Sequence, residues 1–346
     1  MPRVQSQALS DLGTAIFAAA GAPADIARVV ATSLVQTSLT GHDSHGILRA
    51  RLYVNMIRAG ALIPDARPRL RHRAGAVARV DCGRGFGQIG AQYGTALAAE
   101  MAPQHGLACV ALEEVNHIGR LGEYAETLAR KGLVGILFAS GTVVRVSVAP
   151  WGGREPLLAT NPMAWALPTQ AGATPLVLDF ATSVVANGKV QVALGKGEAF
   201  PPDMLLDRDG NPTTDPATFA EGGMLLPFGS YKGYGLSIMM ELIAGVLCGF
   251  SPVSSTEFRA GNPTLILALN IAAFTGLERF EQQTREFLAR VKAVEAAPGF
   301  DEVLLPGEKE QRAGAERSAA GVPLPAAVWD DLCALATEFG VPRPVV

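Results

Sequence analysis

Apolar positions along the chain fall into two regimes. Up to about residue 60 they recur at helical spacing. Leu9, Leu12, Ile16 and Phe17 share one face of a helix predicted over 5–20, with Gly21 as its stop. Pro23 opens a second helix carrying Ile26, Val29, Val30 and Leu34. A third starts near Asp43 or Ser44, either of which can cap it through a short side-chain oxygen. It carries Ile47, Leu48, Leu52 and Ile57 and stops at Gly60. Ile63-Pro64 and Pro68 then mark a change of character.

From about residue 75, strand-like runs alternate with helical ones. Residues 76–81, 107–112, 134–140, 143–148, 163–167 and 175–179 read as strands, and 88–105 and 122–131 as helices. Later, 264–271 reads as a strand, and 277–294 and 325–339 as helices. The apolar run from Gly235 to Phe250, with Glu241 inside it, reads as a buried helix. The pattern predicts an α/β protein. Its expected parts are a helical domain over 1–70, joined by helices from about 230–250 and the C-terminal region, then an α/β domain over 71–225. Residues 226–346 supply returning helices, one strand and a C-terminal segment.

Composition narrows the function. With 346 residues, 49% hydrophobic and 18% charged, the chain can bury a large core. A net charge of -3 without a basic tract argues against nucleic acid. Cys82, Cys109, Cys248 and Cys333 are scattered and form no C-x-x-C, which excludes a zinc cage of the usual spacing and fits reduced thiols. The N-terminus lacks a charged-then-apolar signal, and the longest apolar run is short for a bilayer, so a cytoplasmic protein without membrane contact is expected. Asp207-Arg208-Asp209-Gly210 superficially suggests calcium, but the loop lacks the Glu at its twelfth position and flanking helices. No metal is expected.

Candidate chemistry concentrates where the third helix begins. In a continuous helix His45, Arg49 and Tyr53 fall at i, i+4 and i+8, roughly one face. Imidazole moves protons near neutral pH, and guanidinium holds a carboxylate with two parallel hydrogen bonds. Ser44 can orient the imidazole or a substrate. The plain alternative is a surface helix with a capping serine, but it accounts poorly for Gly41 and Gly46 bracketing the cluster. A second histidine, His117, lies in the Gly-rich loop Asn116–Gly122 after a predicted strand, a natural place for chemistry. Gly85-Phe86-Gly87-Gln88-Ile89-Gly90 matches G-x-G-x-x-G, with Glu113 or Glu114 near the expected ribose-binding acid. Asp81–Arg84 separate the motif from its strand, which argues against a Rossmann site.

Ser44-His45-Gly46-x-x-Arg49-x-x-x-Tyr53 resembles a signature of the malate/L-lactate dehydrogenase family, non-Rossmann NAD(P)-dependent oxidoreductases. That family includes ureidoglycolate, sulfolactate and diketogulonate enzymes and cyclic ketimine reductases. The resemblance continues in order along nearly the whole chain, through His117-x-Gly119, Trp151–Pro156, Thr160-Asn161-Pro162, Asp179–Ser183, the Lys232 segment and Pro306-Gly307-Glu308…Arg312. It implies a mixed-sheet NAD(P)-binding domain of non-Rossmann type, beside a helical domain, and assigns the G-x-G-x-x-G segment to that sheet.

The resemblance also implies roles. His45, Ser44 and His117 would be catalytic, with His45 favoured as acid/base because Arg49 supports it. Arg49, Tyr53, Thr160, Asn187, Gly188 and Lys189 would meet the substrate, a small carboxylate. His117, Ile118, Gly119, Arg120, Leu121, Ser140, Asp179, Phe180, Ala181, Lys232, Gly307, Glu308 and Arg312 would hold NAD or NADP. A carboxylate at a strand end, as at Asp179, suits ribose hydroxyls, and Lys232 at a helix N-terminus suits a phosphate. The expected activity interconverts a 2-hydroxy acid and its 2-oxo acid in a homodimer or larger homo-oligomer. Reduction of a cyclic imine carboxylate is the runner-up. Some family reductases carry Asp where Lys189 stands, so Lys189 counts against it. A non-catalytic binding protein on the same fold is a third reading.

Overall fold

The computed structural model describes residues 1–142, 146–186, 189, 190, 193, 194 and 197–344. Helices α1 (Ser6–Ala19) and α2 (Ala24–Leu39) form as their periodicity predicts, and α3 (Ala50–Arg58) forms only the later part of the third. α1 buries Leu9, Leu12, Ile16 and Phe17, and Gly21 ends it at φ +103°. These helices enclose a core of their own with Ile26, Val30, Leu34 and Tyr53. The chain's other end completes it. Strand β1 (Arg3–Val4) pairs antiparallel with β12 (Val322–Pro323), and α9 (Ala326–Glu338) contributes Leu332, Leu335 and Ala336.

The second core surrounds a seven-stranded sheet. Its strands are β2 (Arg69–Ala74), β3 (Val77–Asp81), β4 (Leu107–Glu113), β5 (Leu133–Ala139), β6 (Met163–Leu167), β7 (Leu176–Phe180) and β11 (Thr264–Asn270). The order is β2-β3-β4-β11-β5-β6-β7. Only β3 and β4 run parallel; every other neighbouring pair is antiparallel. β11 enters between β4 and β5, with Leu265 opposite Ala111 on one side and Phe138 on the other. A Rossmann sheet is parallel, so the expectation of a mixed, non-Rossmann sheet holds. Helices α4 (Gly87–His105) and α5 (Leu121–Ala129) cover one face, over Val80, Val110, Leu112, Leu137 and Ile266. The alternate residues Ala111, Phe138 and Leu265 face the other side, against Ile243 and Cys248.

Three departures from the sequence reading stand out. β2 was not anticipated: all six of its residues are exposed, so no apolar alternation marks it. The expected strand over 143–148 has Val143, Val144 and Arg145 outside the described residues, and Val148 makes only isolated bridges to Leu158 and Leu225. The run from Gly235 is not one buried helix. α6 (Tyr231–Met240) passes into a π-turn at Glu241–Gly245 and a 3-10 turn at Val246–Cys248, leaving Met239, Leu242, Val246 and Leu247 exposed. This stretch packs on the sheet rather than on the N-terminal helices, as Ile243 and Cys248 do. Its other neighbour is a small cluster of Val148, Leu158, Leu205 and Leu225 with Tyr234 and Ile238. That cluster includes residues of the three-stranded sheet β8 (Leu205–Leu206), β9 (Pro212–Thr213) and β10 (Met224–Leu225). Two further helices are α7 (Leu277–Lys292) and α8 (Glu308–Ala320), and a single helical turn spans Ala217–Ala220.

The two cores meet at the start of α4. Phe86 is buried in the helical core, edge-on to Phe17 with ring centroids 5.5 Å apart. The glycines of the G-x-G-x-x-G match serve this junction. A Cβ on Gly87 would stand 2.2 Å from the Asn116 carbonyl oxygen, and one on Gly90 would stand 2.5 Å from Cys82 Sγ. They let the helix press against the His117 loop and the sheet. Glu113, a candidate ribose acid of the same motif, is buried and paired with Arg79 and Arg71.

Candidate active site

The turn that carries His45 is shaped by α2. After Gly41, at φ +85°, the chain makes two 3-10 turns, Asp43–His45 and Ile47–Arg49, before α3. Gly46 between them is extended, and a Cβ there would stand 2.1 Å from Ser38 Oγ. Ser38 Oγ in turn accepts from the Ile47 amide at 3.1 Å. The expected continuous helix from Asp43 is therefore broken at Gly46, because the chain has to close on α2. Neither Asp43 nor Ser44 caps a helix. Asp43 takes a two-pronged ion pair from Arg317 of α8, at 2.6 and 3.2 Å.

The break still brings the polar groups together. Ser44 Oγ lies 2.9 Å from His45 Nδ1, and Arg49 Nε donates to the Ser44 carbonyl at 2.7 Å. The rings of His45 and His117 are 5.3 Å apart, centroid to centroid. Tyr53, which is 1% exposed, is not at the surface of the site but behind it. Its hydroxyl lies 2.6 Å from His117 Nδ1 and accepts from Gln88 Nε2 at 2.7 Å. His117 Nε2 is buried and has no hydrogen-bond partner among the described residues. Asn116 fixes the loop by donating to the Arg84 and Gly85 carbonyls.

Electrostatics hold both imidazoles neutral. Burial, then the Arg49 charge and His42, push His45 down to about 3. Burial, Arg49 and His45 hold His117 well below the usual histidine range. Burial raises the Tyr53 phenol, so it too keeps its proton. A guanidinium beside two uncharged imidazoles, one with an unpartnered buried nitrogen, can bind an anion and handle a proton.

A second group of expected residues converges next to this one. Asp179 Oδ2 accepts from the Gly122 amide at 2.7 Å, satisfying a free N–H in the first turn of α5. Gly119, at φ +83°, and the buried Ile118, Arg120 and Leu121 lead into that turn. Arg120 Nη2 is 3.6 Å from Glu126. Gly307, at φ +89°, backs on β7: a Cβ there would stand 3.0 Å from the Val177 carbonyl. Phe180 is edge-on to Phe228 at 5.5 Å, and the Phe228 amide donates to the Thr182 carbonyl, so the Lys232 segment lies beside Phe180 and Ala181. Lys232 is exposed in the first turn of α6, with no acidic partner among the described residues. α8 reaches the His45 turn through His42 and Glu310, 3.5 Å apart.

Other expected residues are engaged elsewhere. Ser140 is 1% exposed and donates to Glu241 at 2.7 Å, so its hydroxyl proton is committed. Glu308 pairs with Lys292, and Arg312 with Glu302, in an exposed network at the start of α8. The Thr160 carbonyl accepts from the Thr182 amide and hydroxyl. Lys189 is exposed, and Asn187 and Gly188 lie outside the described residues. Sequence reasoning missed Gln88 as a member of the site, although it had quoted it within the glycine motif. It also missed the buried cluster around Glu241, whose signal was a lone carboxylate in an apolar run.

Comparisons with known proteins agree with this fold. A sequence model described as malate/L-lactate dehydrogenase matches residues 4–333. Hydroxycarboxylate dehydrogenase B of Escherichia coli (strain K12) is 38% identical over 350 residues, covering 99% of this chain and 95% of that protein. Delta(1)-pyrroline-2-carboxylate reductase 1 of Burkholderia ambifaria is 34% identical, covering 91% and 92%. The crystal structure of malate dehydrogenase from Entamoeba histolytica superimposes with a TM-score of 0.92 at 26% identity, covering 99% of both chains. With the family match spanning nearly the whole chain, and a mixed sheet carrying the His45–His117 cluster at its junction with the helices, the chain belongs to the malate/L-lactate dehydrogenase family.

Proposed function

We propose that the protein is an NAD(P)-dependent dehydrogenase that interconverts a small 2-hydroxy acid and its 2-oxo acid. The observation that carries this reading is the pair of neutral imidazoles, His45 and His117, beside the Arg49 guanidinium. Arg49 commits Nε to Ser44, which leaves both Nη groups for the substrate carboxylate. That grip orients the reacting carbon. His45, with Nδ1 occupied by Ser44, takes the hydroxyl proton through Nε2 in oxidation and returns it in reduction. The substrate's negative charge offsets that of Arg49 and so makes protonation of His45 easier in the complex. His117 Nε2 supplies a hydrogen bond to the same substrate oxygen.

A pyridine nucleotide fits the second group of residues. The unpaired Lys232 at the start of α6 suits a phosphate, and Asp179, with one oxygen on Gly122 N, keeps the other for a ribose hydroxyl. The 118–121 loop, Phe180, Ala181 and Gly307 would line the same cradle. The bound nicotinamide supplies hydride transfer. We also place a second copy of the chain over the exposed apolar side chains of Tyr231, Met239, Leu242, Val246 and Leu247, the last of which is 69% exposed. Among the described residues no helix is long and apolar enough to cross a membrane.

The test follows nicotinamide absorbance with NADH and NADPH against pyruvate, oxaloacetate, longer and sulfonated 2-oxo acids, and piperideine-2-carboxylate. Turnover of an open-chain 2-oxo acid supports the reading and distinguishes the cofactors. Turnover of the cyclic imine alone assigns the protein to imine reduction instead. Absence of both turnover and cofactor binding supports a binding protein.

A further inference from the structure

Behind His117 lies a chain of three buried polar groups. Gln88 is 0% exposed, at the start of α4; Tyr53 is 1% exposed, on α3; His117 is 7% exposed, in the loop after β4. Gln88 Nε2 donates to the Tyr53 oxygen at 2.7 Å. The phenol has one proton of its own to place. Its two possible acceptors are His117 Nδ1 at 2.6 Å and the His117 carbonyl at 3.4 Å. The shorter contact is the better hydrogen bond by a wide margin.

We infer that Gln88 is a positioning residue that sets which nitrogen of His117 carries the proton. By donating to the phenol oxygen it turns the phenol proton onto Nδ1 and leaves the imidazole proton on Nε2. The Nε2–H then points from a buried position with no acceptor among the described residues. It is a donor awaiting an oxygen. Burial and the Arg49 charge keep the ring uncharged, so one tautomer is a defined state. The consequence for catalysis rests on the proposed dehydrogenase reading. His117 hydrogen-bonds the substrate oxygen and does not take its proton, which leaves proton transfer to His45. The glycine motif gains a purpose in the same step: Gly87 lets α4 approach the Asn116–His117 backbone closely enough for Gln88 to reach Tyr53.

Nitrogen-15 histidine labelling tests this directly. The chain has five histidines, and loss of one signal set in His117→Gln assigns His117. Long-range proton–nitrogen spectra separate the two neutral tautomers by their nitrogen shifts. The expected result is the Nε2–H form between pH 6 and 8. Gln88→Glu offers a carboxylate that accepts the phenol proton. Tyr53 then accepts from His117, and the signal changes to Nδ1–H. Gln88→Leu, which adds no buried charge, should give a mixture of tautomers at unchanged melting temperature. Each folded variant should lose about 100-fold in kcat/KM for 2-oxo acid reduction, the usual scale for misdirecting one donor to a reacting oxygen. An Nδ1–H or charged His117 in the unsubstituted protein overturns the inference. So does an unchanged tautomer in folded Gln88→Glu and Gln88→Leu. If no substrate is turned over yet the tautomers respond as stated, the positioning role stands and the dehydrogenase reading fails.

Discussion

Two buried polar clusters among the described residues, around Glu241 and around His117, are built to opposite ends. Around Glu241 a carboxylate is almost completely satisfied. Ser140 Oγ and Asn161 Nδ2 donate to one oxygen, and the Val253 amide donates to the other at 2.7 Å. Asn161 is held in turn by Ser237, and only its Oδ1 lacks a partner. Around His117, Nδ1 is held from behind by Tyr53, while two atoms, His117 Nε2 at one end of the chain of groups and Gln88 Oε1 at the other, have no partner among the described residues. A buried charge without donors is costly, so the first arrangement is what a structural carboxylate requires. A bare buried nitrogen makes sense where a ligand supplies the missing partner. On the proposed function, the contrast separates a cluster that holds the fold from one that waits for a substrate.

The sharpest way to break this contrast is to remove one member from each cluster and compare activity with stability. His45→Gln is expected to lower turnover by roughly 10²–10⁴-fold, the range for a lost acid/base, with stability nearly unchanged. Stopped-flow turnover and a thermal melt of the same sample check both halves. Arg49→Ala should follow, with a fall of about 100-fold in kcat/KM carried mostly by KM, because the clamp grips the carboxylate throughout the reaction. Unchanged turnover on carboxylate substrates would remove Arg49 from the site. Glu241→Gln should show the reverse profile. It puts an amide where three donors converge, at a cost of roughly 1–3 kcal/mol in unfolding free energy, while the histidine cluster keeps its geometry. A denaturant titration reads the loss. If Glu241→Gln proves as stable as the unsubstituted protein, the cluster is not structural and the distinction collapses.

The same contrast explains what the sequence could and could not disclose. Strands and helices with one buried face announced themselves: α1, α4 and β11 lie within a residue or two of their predicted limits, since alternation and helical spacing are written in the apolar residues. β2 carries no such signal, being exposed along its length. His45, Arg49 and His117 were visible as residue types with known chemistry. The break at Gly46 was not, because it depends on Ser38, a residue of another helix. Nor was the role of Tyr53, which the spacing put beside the substrate and the fold put behind His117. Gln88 was read within a motif of another fold class. The glycines around it were real constraints, but they serve close packing. Glu241 was noted only as a charge in an apolar run, and two of its three partners, Ser140 and Asn161, come from distant segments.

The smallest predicted effect is a pH dependence of stability, and it sharpens the comparison because the two clusters differ in it. His45 is held at about 3 in the folded protein against 6.5 when exposed, and His117 is shifted the same way. Between those values the unfolded chain binds more protons than the folded one. Stability contributed by the neutral rings is therefore complete above pH 6.5 and is lost as pH falls toward 3. Water reaching the half-buried His45 ring reduces its share. Glu123, whose carboxyl burial raises, opposes this: above 4.5 the folded chain holds its proton more tightly, so acidification favours folding there. A single melting curve against pH mixes the two. The difference between the unsubstituted protein and His45→Gln does not, since Glu123 is common to both. That difference should be flat above pH 6.5, and below it the unsubstituted protein should lose stability faster. A difference that stays constant down to pH 5 would mean that folding leaves His45 at its ordinary value, and burial and Arg49 could then not be what keeps its ring neutral.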